Sequence, residues 1–254
     1  MRYLRYLIVS TNEHGVHSPF VFDLVTRVIY SSKNYYFFSK INKLRRKNES
    51  SEMEILVDDF GAGSHFSSLN KRSIASIAKL ASKNEKYGQL LFRLVNNFQP
   101  QTILELGSSL GFSCIYMASA CKNAKLITIE GSHEIARIAQ ENIAESGLTN
   151  ITLLNGKFED ELNNAINQLG KLDFVFFDGN HQKEATLFYF EECLKYHHQK
   201  SVFVFDDIHW SRGMQEAWEQ IKAHPEVFVT IDLFFLGLVF FRKEQAKENF
   251  IIRY

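Results

Sequence analysis

The chain has 254 residues, of which 45% are hydrophobic and 23% are charged, a composition typical of a globular protein with one large, well-buried core. Lysine and arginine together number 29, and so do aspartate and glutamate, so the chain lacks the overall charge that would attract nucleic acid or an anionic membrane. Three widely spaced cysteines, Cys114, Cys121 and Cys193, form neither a disulfide framework nor a zinc motif.

The N-terminal segment MRYLRYLIVS has too short an apolar stretch for a signal peptide. No segment approaches the roughly 20 apolar residues that span a bilayer. We therefore expect a reduced, cytoplasmic protein with no membrane span and no nucleic-acid partner.

Residues 1–84 show no alternation of strands and helices, and we predict that they form a helical extension that covers the substrate as a lid. Ser18 followed by Pro19 is typical of a helix start, so a helix is predicted through FVFDLVTRVIY. A second helix is predicted from Tyr36 to Arg46. The remaining predictions for this region are a short strand at EILVDD, an irregular loop at FGAGSHFSSLN, and amphipathic helices at 71–82 and 85–97.

Residues 85–254 are predicted to form the main domain, because apolar strands alternate with helices from Pro100 onward. The predicted parallel strands are TILEL, LITIE, ITLLN, LDFVFFD and SVFVFDD. The last two strands, VFVTIDL and FFLGLVFFRK, have almost no linker, so they must form an antiparallel hairpin rather than a parallel crossover. The predicted fold is therefore α/β, with a Rossmann-like, mostly parallel sheet of seven strands that ends in an antiparallel hairpin.

The end of the first predicted strand has the features of a cofactor site. Glu105 precedes the turn Gly107-Ser108-Ser109-Leu110-Gly111, whose glycines allow a tight turn and a close approach to a ligand. Glu130 ends the second strand, where an acidic residue typically accepts both hydroxyls of an adenosine ribose. A carboxylate at Glu105 would repel a pyrophosphate but suits the ammonium group of a methionine-like ligand, and the spacing differs from the G-x-G-x-x-G of dinucleotide sites.

ILELGSSLGFSCIYMA resembles motif I of the class I S-adenosylmethionine-dependent methyltransferases. The segment GQLL at 88–91 and the polar turn NGKFE at 155–159 are similar to those of the catechol and caffeoyl-coenzyme A O-methyltransferases, and the resemblance covers about residues 86–242. It implies S-adenosylmethionine as the cofactor. The cofactor-binding residues that it implies, together with the reasoning above, are Glu105, Gly107, Ser109, Gly111, Ser113, Glu130, Gly131, Phe158 and Asp178.

Carboxylates at the ends of two neighbouring strands indicate a metal site. Asp178 ends the fourth predicted strand, and Asp206 and Asp207 end the fifth. Clustered carboxylates repel each other unless a cation lies between them, and oxygen ligands favour Mg²⁺ or a similar divalent ion. The resemblance implies the same three ligands, although the second member of the pair is asparagine in the catechol enzymes. The alternative is that one aspartate contacts the cofactor and the others cap helices.

Three residues near these strand ends are candidates for activating the acceptor hydroxyl. His181 and Lys183 follow Asp178, and His209 follows Asp207. Histidine titrates near neutrality and can accept a proton from a hydroxyl, and His181 is the first choice. The predicted function is O-methylation of a small molecule with a catechol-like or sugar-like diol, assisted by a divalent cation.

Two alternatives stay open at this point. One is a metal-independent methyltransferase that uses a histidine base, and another is a non-catalytic module that only binds S-adenosylmethionine. A nicotinamide-dependent oxidoreductase is disfavoured by the loop spacing. Amino-directed and cytosine-C5 methyltransferases are disfavoured because Asp178 is followed by Gly-Asn-His and no Pro-Cys pair is present. A homodimer that uses the N-terminal helices is compatible with the sequence.

Overall fold

The computed structural model describes residues 2–57, 71–80 and 84–254. The chain divides into two compact units. The first unit comprises Met1–Ser31 and Gly170–Tyr254, and the second comprises Ser32–Leu169. The predicted loop FGAGSHFSSLN lies outside the described residues, and the predicted division between residues 1–84 and 85–254 stays a prediction.

The elements agree with most of the predicted strands and helices. The helices are α1 Arg2–Val9, α2 Pro19–Leu24, α3 Tyr36–Glu49, α4 Ile74–Leu80, α5 Glu85–Phe98, α6 Phe112–Ala120, α7 His133–Ser146, α8 Phe158–Leu169, α9 Lys183–Leu194 and α10 Arg212–Ala223. The strands are β1 Glu54–Leu56, β2 Lys71–Ser73, β3 Thr102–Leu106, β4 Lys125–Glu130, β5 Ile151–Asn155, β6 Phe174–Phe177, β7 Val202–Asp206, β8 Val229–Asp232, β9 Leu236–Phe240 and β10 Glu248–Ile251.

The start of α2 follows from its capping residues. The Ser18 hydroxyl accepts a hydrogen bond from the Val21 N–H, and Pro19 occupies the first turn, where it has no N–H to leave unsatisfied. The helix continues as a π-helical turn at Val25–Ile29. The predicted helix at 71–82 is only partly correct, because Lys71–Ser73 pair with β1 as an antiparallel strand before α4 begins.

The second unit contains three parallel strands in the order β3, β4, β5. The neighbouring helices α5 and α6 approach closely because Gly88 has no side chain. A Cβ at that position would lie 2.5 Å from the ring of Tyr116. Gly88 in the GQLL segment therefore allows the two helices to pack closely against each other.

The first unit contains five strands in the order β6, β7, β9, β8, β10. β6 and β7 are parallel, and β9 is antiparallel to both β7 and β8, so the predicted C-terminal hairpin is confirmed. β8 therefore runs parallel to β7, and β10 runs parallel to β8. The carboxyl ends of β6, β7, β8 and β10 thus lie at one edge, which is where α/β proteins place their ligands.

Two elements were not predicted. β10 is an additional strand beyond the seven expected; it has an exposed, polar start, and only Phe250 is fully buried in it. α1 packs through Tyr6, whose hydroxyl donates a hydrogen bond to the Ile252 carbonyl at 2.5 Å. Among the helices that the structure describes, none is long and apolar enough to cross a membrane.

Candidate functional site

The turn between β3 and α6 has three residues with left-handed backbone. The φ angles are 97° at Gly107, 46° at Ser109 and 85° at Gly111. Glycine adopts this region freely, whereas a residue with a Cβ is uncommon there and is found most often where a site requires it. Gly111 also precedes the first turn of α6, whose free N–H groups face the turn.

Glu105 lies beneath this turn and is fully buried. The Thr128 hydroxyl donates a hydrogen bond to its Oε2 at 2.5 Å, and the Ser113 hydroxyl also lies against the carboxylate. Burial, and to a lesser extent the nearby Glu130 carboxylate, raise the pKa of Glu105 to about 7, although the hydrogen bonds from Ser113 and Thr128 oppose the rise. The Oε1 atom accepts no hydrogen bond from any residue that the structure describes. A buried carboxylate with a free oxygen fits a cationic ligand, as predicted for the ammonium end of S-adenosylmethionine.

Glu130 ends β4 and faces the same turn. Its Oε2 accepts a hydrogen bond from the Ser109 N–H at 2.9 Å, and its Oε1 accepts one from the Ser132 N–H at 3.0 Å. Burial raises the pKa of Glu130 to about 7, while these backbone hydrogen bonds and one from Gly131 oppose the rise. Each carboxylate oxygen has a second lone pair, so the group can still accept hydrogen bonds from the two hydroxyls of a ribose.

The polar turn after β5 lies beside Glu130. The Gly156 N–H donates to the Glu130 carbonyl at 3.0 Å, and the Asn155 amide donates to the same carbonyl at 2.8 Å. Phe158, the predicted adenine contact, is the first residue of α8 and is half-buried. The second unit therefore brings Glu105 and Glu130 to one turn, whereas the contact of Phe158 with the adenine stays a prediction.

The first unit places three ionisable side chains together at the ends of β6 and β7. Asp178, His181 and Asp206 each offer a ligand atom, and these atoms all lie within 4.8 Å of one another. Asp206 is 3% exposed, whereas Asp178 and His181 are half-buried, with His181 Nε2 4.0 Å from Asp178 Oδ1. Two carboxylates and an imidazole suit a divalent cation, so these residues fit the predicted metal.

Asp207, the third predicted ligand, is not a member of this group in the part of the chain that the structure describes. Its backbone is left-handed, with a φ of 53°. Its N–H donates to the Phe235 carbonyl at 2.7 Å. Its role as a metal ligand stays a prediction, and His181 is the additional member that the sequence interpretation assigned only to proton transfer.

The three predicted bases differ in their surroundings. Lys183 Nζ forms an ion pair with Glu216 at 2.9 Å. His209 Nε2 lies 2.7 Å from Asp232 Oδ2, and its Nδ1 lies 3.3 Å from the Gln215 amide nitrogen, so both ring nitrogens are engaged. The His181 ring makes no hydrogen bond with any residue that the structure describes. Among these three candidate bases, His181 is therefore the one whose side chain is available to accept a proton from the hydroxyl of a methyl acceptor.

Asp232 was missed in the sequence interpretation, although the signal was present. It ends β8, and the reasoning that singled out Asp178 and Asp206 at the carboxyl ends of their strands applies equally to it. The prediction did not extend to Asp232, because the last two strands were interpreted only as a hairpin that completes the sheet.

Comparisons with known proteins show what this chain is similar to. A family model described as a methyltransferase domain matches residues 104–208. The catechol O-methyltransferase of Niastella koreensis is 34% identical over 130 residues, which cover 50% of this chain and 58% of that protein. The catechol O-methyltransferase of Bos taurus is 36% identical over 120 residues, which cover 43% of this chain and 42% of that protein. The chain thus spans about half the length of these curated relatives.

Solved structures show the fold. The O-methyltransferase from Bacillus cereus in complex with SAH superposes with a TM-score of 0.58 at 20% identity, covering 83% of this chain and 93% of that one. The O-methyltransferase TomG from Streptomyces achromogenes in complex with SAM gives a TM-score of 0.58 at 21% identity, covering 87% and 94%. Together these comparisons show that residues 104–208 match a methyltransferase domain, that this part of the chain is similar in sequence to catechol O-methyltransferases, and that the chain shares the fold of these O-methyltransferase structures.

Proposed function

We propose that this protein transfers a methyl group from S-adenosylmethionine to a hydroxyl oxygen of a small molecule with a vicinal diol, catechol-like or sugar-like, with the help of a divalent cation. The observation that supports the acceptor chemistry is the convergence of Asp178, His181 and Asp206 within 4.8 Å. The relatives named catechol O-methyltransferase support the choice of a diol.

The second unit supplies the cofactor-binding residues in this proposal. S-adenosylmethionine supplies an electrophilic methyl group on a sulfonium. Glu105 binds the ammonium group with its free Oε1, and Glu130 accepts hydrogen bonds from the ribose hydroxyls. The two glycines of the left-handed turn, Gly107 and Gly111, would let the backbone approach the ligand without a side chain in the way.

The first unit supplies the residues that activate the acceptor. Asp178 and Asp206 would hold the cation, whose chemistry would be to acidify and orient a nearby hydroxyl, and Asp207 extends the proposed ligand set. In this proposal the His181 ring beside these carboxylates is not itself a ligand, and its Nε2 accepts the hydroxyl proton. Lys183 and His209, held by Glu216 and Asp232, are the second choices for this role.

Electron paramagnetic resonance of Mn²⁺ with the S-adenosylhomocysteine-loaded protein tests the metal site. We expect wild type to bind Mn²⁺ and the double variant Asp178→Asn/Asp206→Asn to lose the signal of the bound ion. Asp23→Asn is the matched control, because Asp23 is an exposed carboxylate in the same unit and should leave Mn²⁺ binding unchanged. Equal binding by all three proteins, or by none, contradicts the metal assignment.

Methyl transfer to a panel of diols, with and without EDTA, tests the reaction. The proposal expects turnover that EDTA abolishes and Mn²⁺ or Mg²⁺ restores. Turnover that resists EDTA but is lost in His181→Gln would support a metal-independent enzyme with a histidine base, which the unengaged His181 ring favours as the second candidate. Tight cofactor binding with no turnover of any hydroxyl would indicate a binding module.

A further inference from the structure

A groove of about 910 Å³ opens along α1 and α10 in the first unit, and its lining is unusually cationic. Five lysine or arginine side chains and three aspartate or glutamate side chains line it, a formal excess of two positive charges. The whole chain has a net charge of +0, so this excess is local. A concave, cationic surface concentrates anionic ligands.

The groove lies at the same edge of the first unit's sheet as the proposed metal site. Asp232 and Ile251, the last residues of β8 and β10, line the groove, and His209 follows β7. Asp178 and Asp206 stand at the ends of β6 and β7. Because these four strands are parallel, a molecule bound by its diol at the carboxylates can extend along this edge into the groove.

Helix α1 forms one wall of the groove and is fixed there by specific contacts. The Tyr6 hydroxyl donates to the Ile252 carbonyl and accepts from the Tyr254 N–H at 3.1 Å. The ring of Phe234 lies 5.2 Å from the Tyr6 ring and stacks on His209 at 5.1 Å. The cations on α1 are therefore presented by an anchored helix.

Most cations of the groove already have anionic partners. Lys183 and Arg212 share Glu216, at 2.9 and 3.0 Å. Lys222 pairs with Glu219 at 2.8 Å. The two arginines of α1 differ from these, because Arg2 donates only to the neutral carbonyls of His209 and Trp210, at 3.1 and 3.0 Å.

Arg5 makes no hydrogen bond or ion pair with any residue that the structure describes, although it lines the groove. A guanidinium presents several N–H groups in a planar fork that matches a carboxylate or a phosphate. Arg2 and Arg5 lie three residues apart on the helix and hence on neighbouring turns of one face. Two guanidiniums without anionic partners thus face one open groove.

We propose that this groove binds an anionic group of the methyl acceptor, a carboxylate or a phosphate ester, through Arg5 with Arg2 beside it. The inference rests on the proposed function, because it takes the diol to bind at Asp178 and Asp206. This proposal restricts the class of methyl acceptors from any small diol to diols that carry an acidic group. Helix α1 is then the element that selects the substrate.

Calorimetric binding to the S-adenosylhomocysteine-loaded full chain tests this proposal without requiring turnover. The probes are protocatechuate, its neutral analogue protocatechuyl alcohol, and inorganic phosphate. We expect wild type to bind at least one of the two anions, and protocatechuate more tightly than the alcohol. Arg5→Gln should weaken anion binding roughly tenfold, the effect of losing one charged hydrogen bond at a partly solvated site, and leave the alcohol unaffected. Arg5→Lys should restore part of the affinity.

Arg27→Gln is the matched control, because Arg27 is an exposed arginine of the same unit whose partner is Asp23, and it should bind like wild type. Protocatechuate binding that depends on Arg5 identifies a carboxylate acceptor, and phosphate binding alone that depends on Arg5 identifies a phosphate ester. If neither anion binds, or if Arg5→Gln and Arg27→Gln bind alike, the groove is not an anion site. Anion binding that depends on Arg5 without methylation of any diol would support the groove and refute the proposed reaction.

Discussion

Replacement of Glu105 by glutamine should stabilise the ligand-free protein at alkaline pH while it impairs cofactor binding. Glutamine is nearly isosteric and keeps a carbonyl oxygen for the Thr128 hydroxyl, but it has no charge to bury. Burial raises the pKa of Glu105 from 4.5 to about 7. Ionisation of this side chain therefore opposes folding, and a neutral replacement removes that opposition.

The direction and the size of this change in the free energy of unfolding follow from the linkage between protonation and folding. Between pH 4.5 and about 7 the folded protein holds a proton on Glu105 that the unfolded chain has released, so wild-type stability falls as the pH rises through this window. The difference of about 2.5 between these pKa values, at about 1.4 kcal/mol for each unit, gives about 3–4 kcal/mol as the full effect. Glu130 titrates in the same range, but it is present in both proteins and largely cancels in the comparison.

Urea denaturation of both proteins at about pH 5 and about pH 8 measures this difference. We expect similar free energies of unfolding at the lower pH and a higher value for Glu105→Gln at the upper pH. Saturating S-adenosylhomocysteine should reverse the order, because only wild type pairs its carboxylate with the ligand's ammonium group. Glu141→Gln, which removes an exposed carboxylate on α7, should show neither effect. A variant no more stable than wild type at about pH 8 would refute the reasoning.

Three further predictions concern single side chains. Glu130→Ala should weaken S-adenosylhomocysteine binding by about 1–3 kcal/mol in calorimetry, and unchanged affinity would remove the ribose assignment. Asp178→Asn should abolish turnover and largely retain cofactor affinity, so near-normal turnover would exclude Asp178 from the acceptor site. Gly88→Ala should lower the free energy of unfolding by about 1–3 kcal/mol, because its Cβ would lie 2.5 Å from the Tyr116 ring. The matched helical control Gly213→Ala meets its nearest neighbour at 3.5 Å and should not destabilise the protein.

The strands and the cofactor turn could be predicted because their signals are local. A buried parallel strand is a continuous apolar run, as in FVFF of β6, and a left-handed turn requires glycines at fixed positions such as Gly107 and Gly111. The short strand β10 gave no such signal, because ENFI is half polar and, among the strands that the structure describes, pairs with β8 alone. Its existence depends on a long-range partner that no window of sequence contains.

The pairing of charged side chains depends on the fold in the same way. The sequence places Asp206 and His209 close together at the end of one strand. It does not show that Asp232 hydrogen-bonds both the His209 ring, at 2.7 Å, and the Phe234 N–H, at 2.8 Å. Nor could it show that Arg5 would have no anionic partner among the residues that the structure describes, while Arg212 pairs with Glu216. Such outcomes depend on which helix packs against which strand end.

One rule nevertheless connects the predicted and the unpredicted parts of the first unit. Because β6, β7, β8 and β10 are parallel, their polar carboxyl ends lie along one edge, which is where α/β proteins bind their ligands. The edge is acidic at Asp178 and Asp206 and becomes cationic where α1 brings Arg2 and Arg5 beside β8 and β10. A cation and an anion bound side by side would complement this change of sign, and a metal-chelated diol with an acidic substituent provides both in one molecule. In the proposed function, the N-terminal segment would then determine which diol is methylated, while the cofactor turn and the carboxylates would hold the cofactor and the cation.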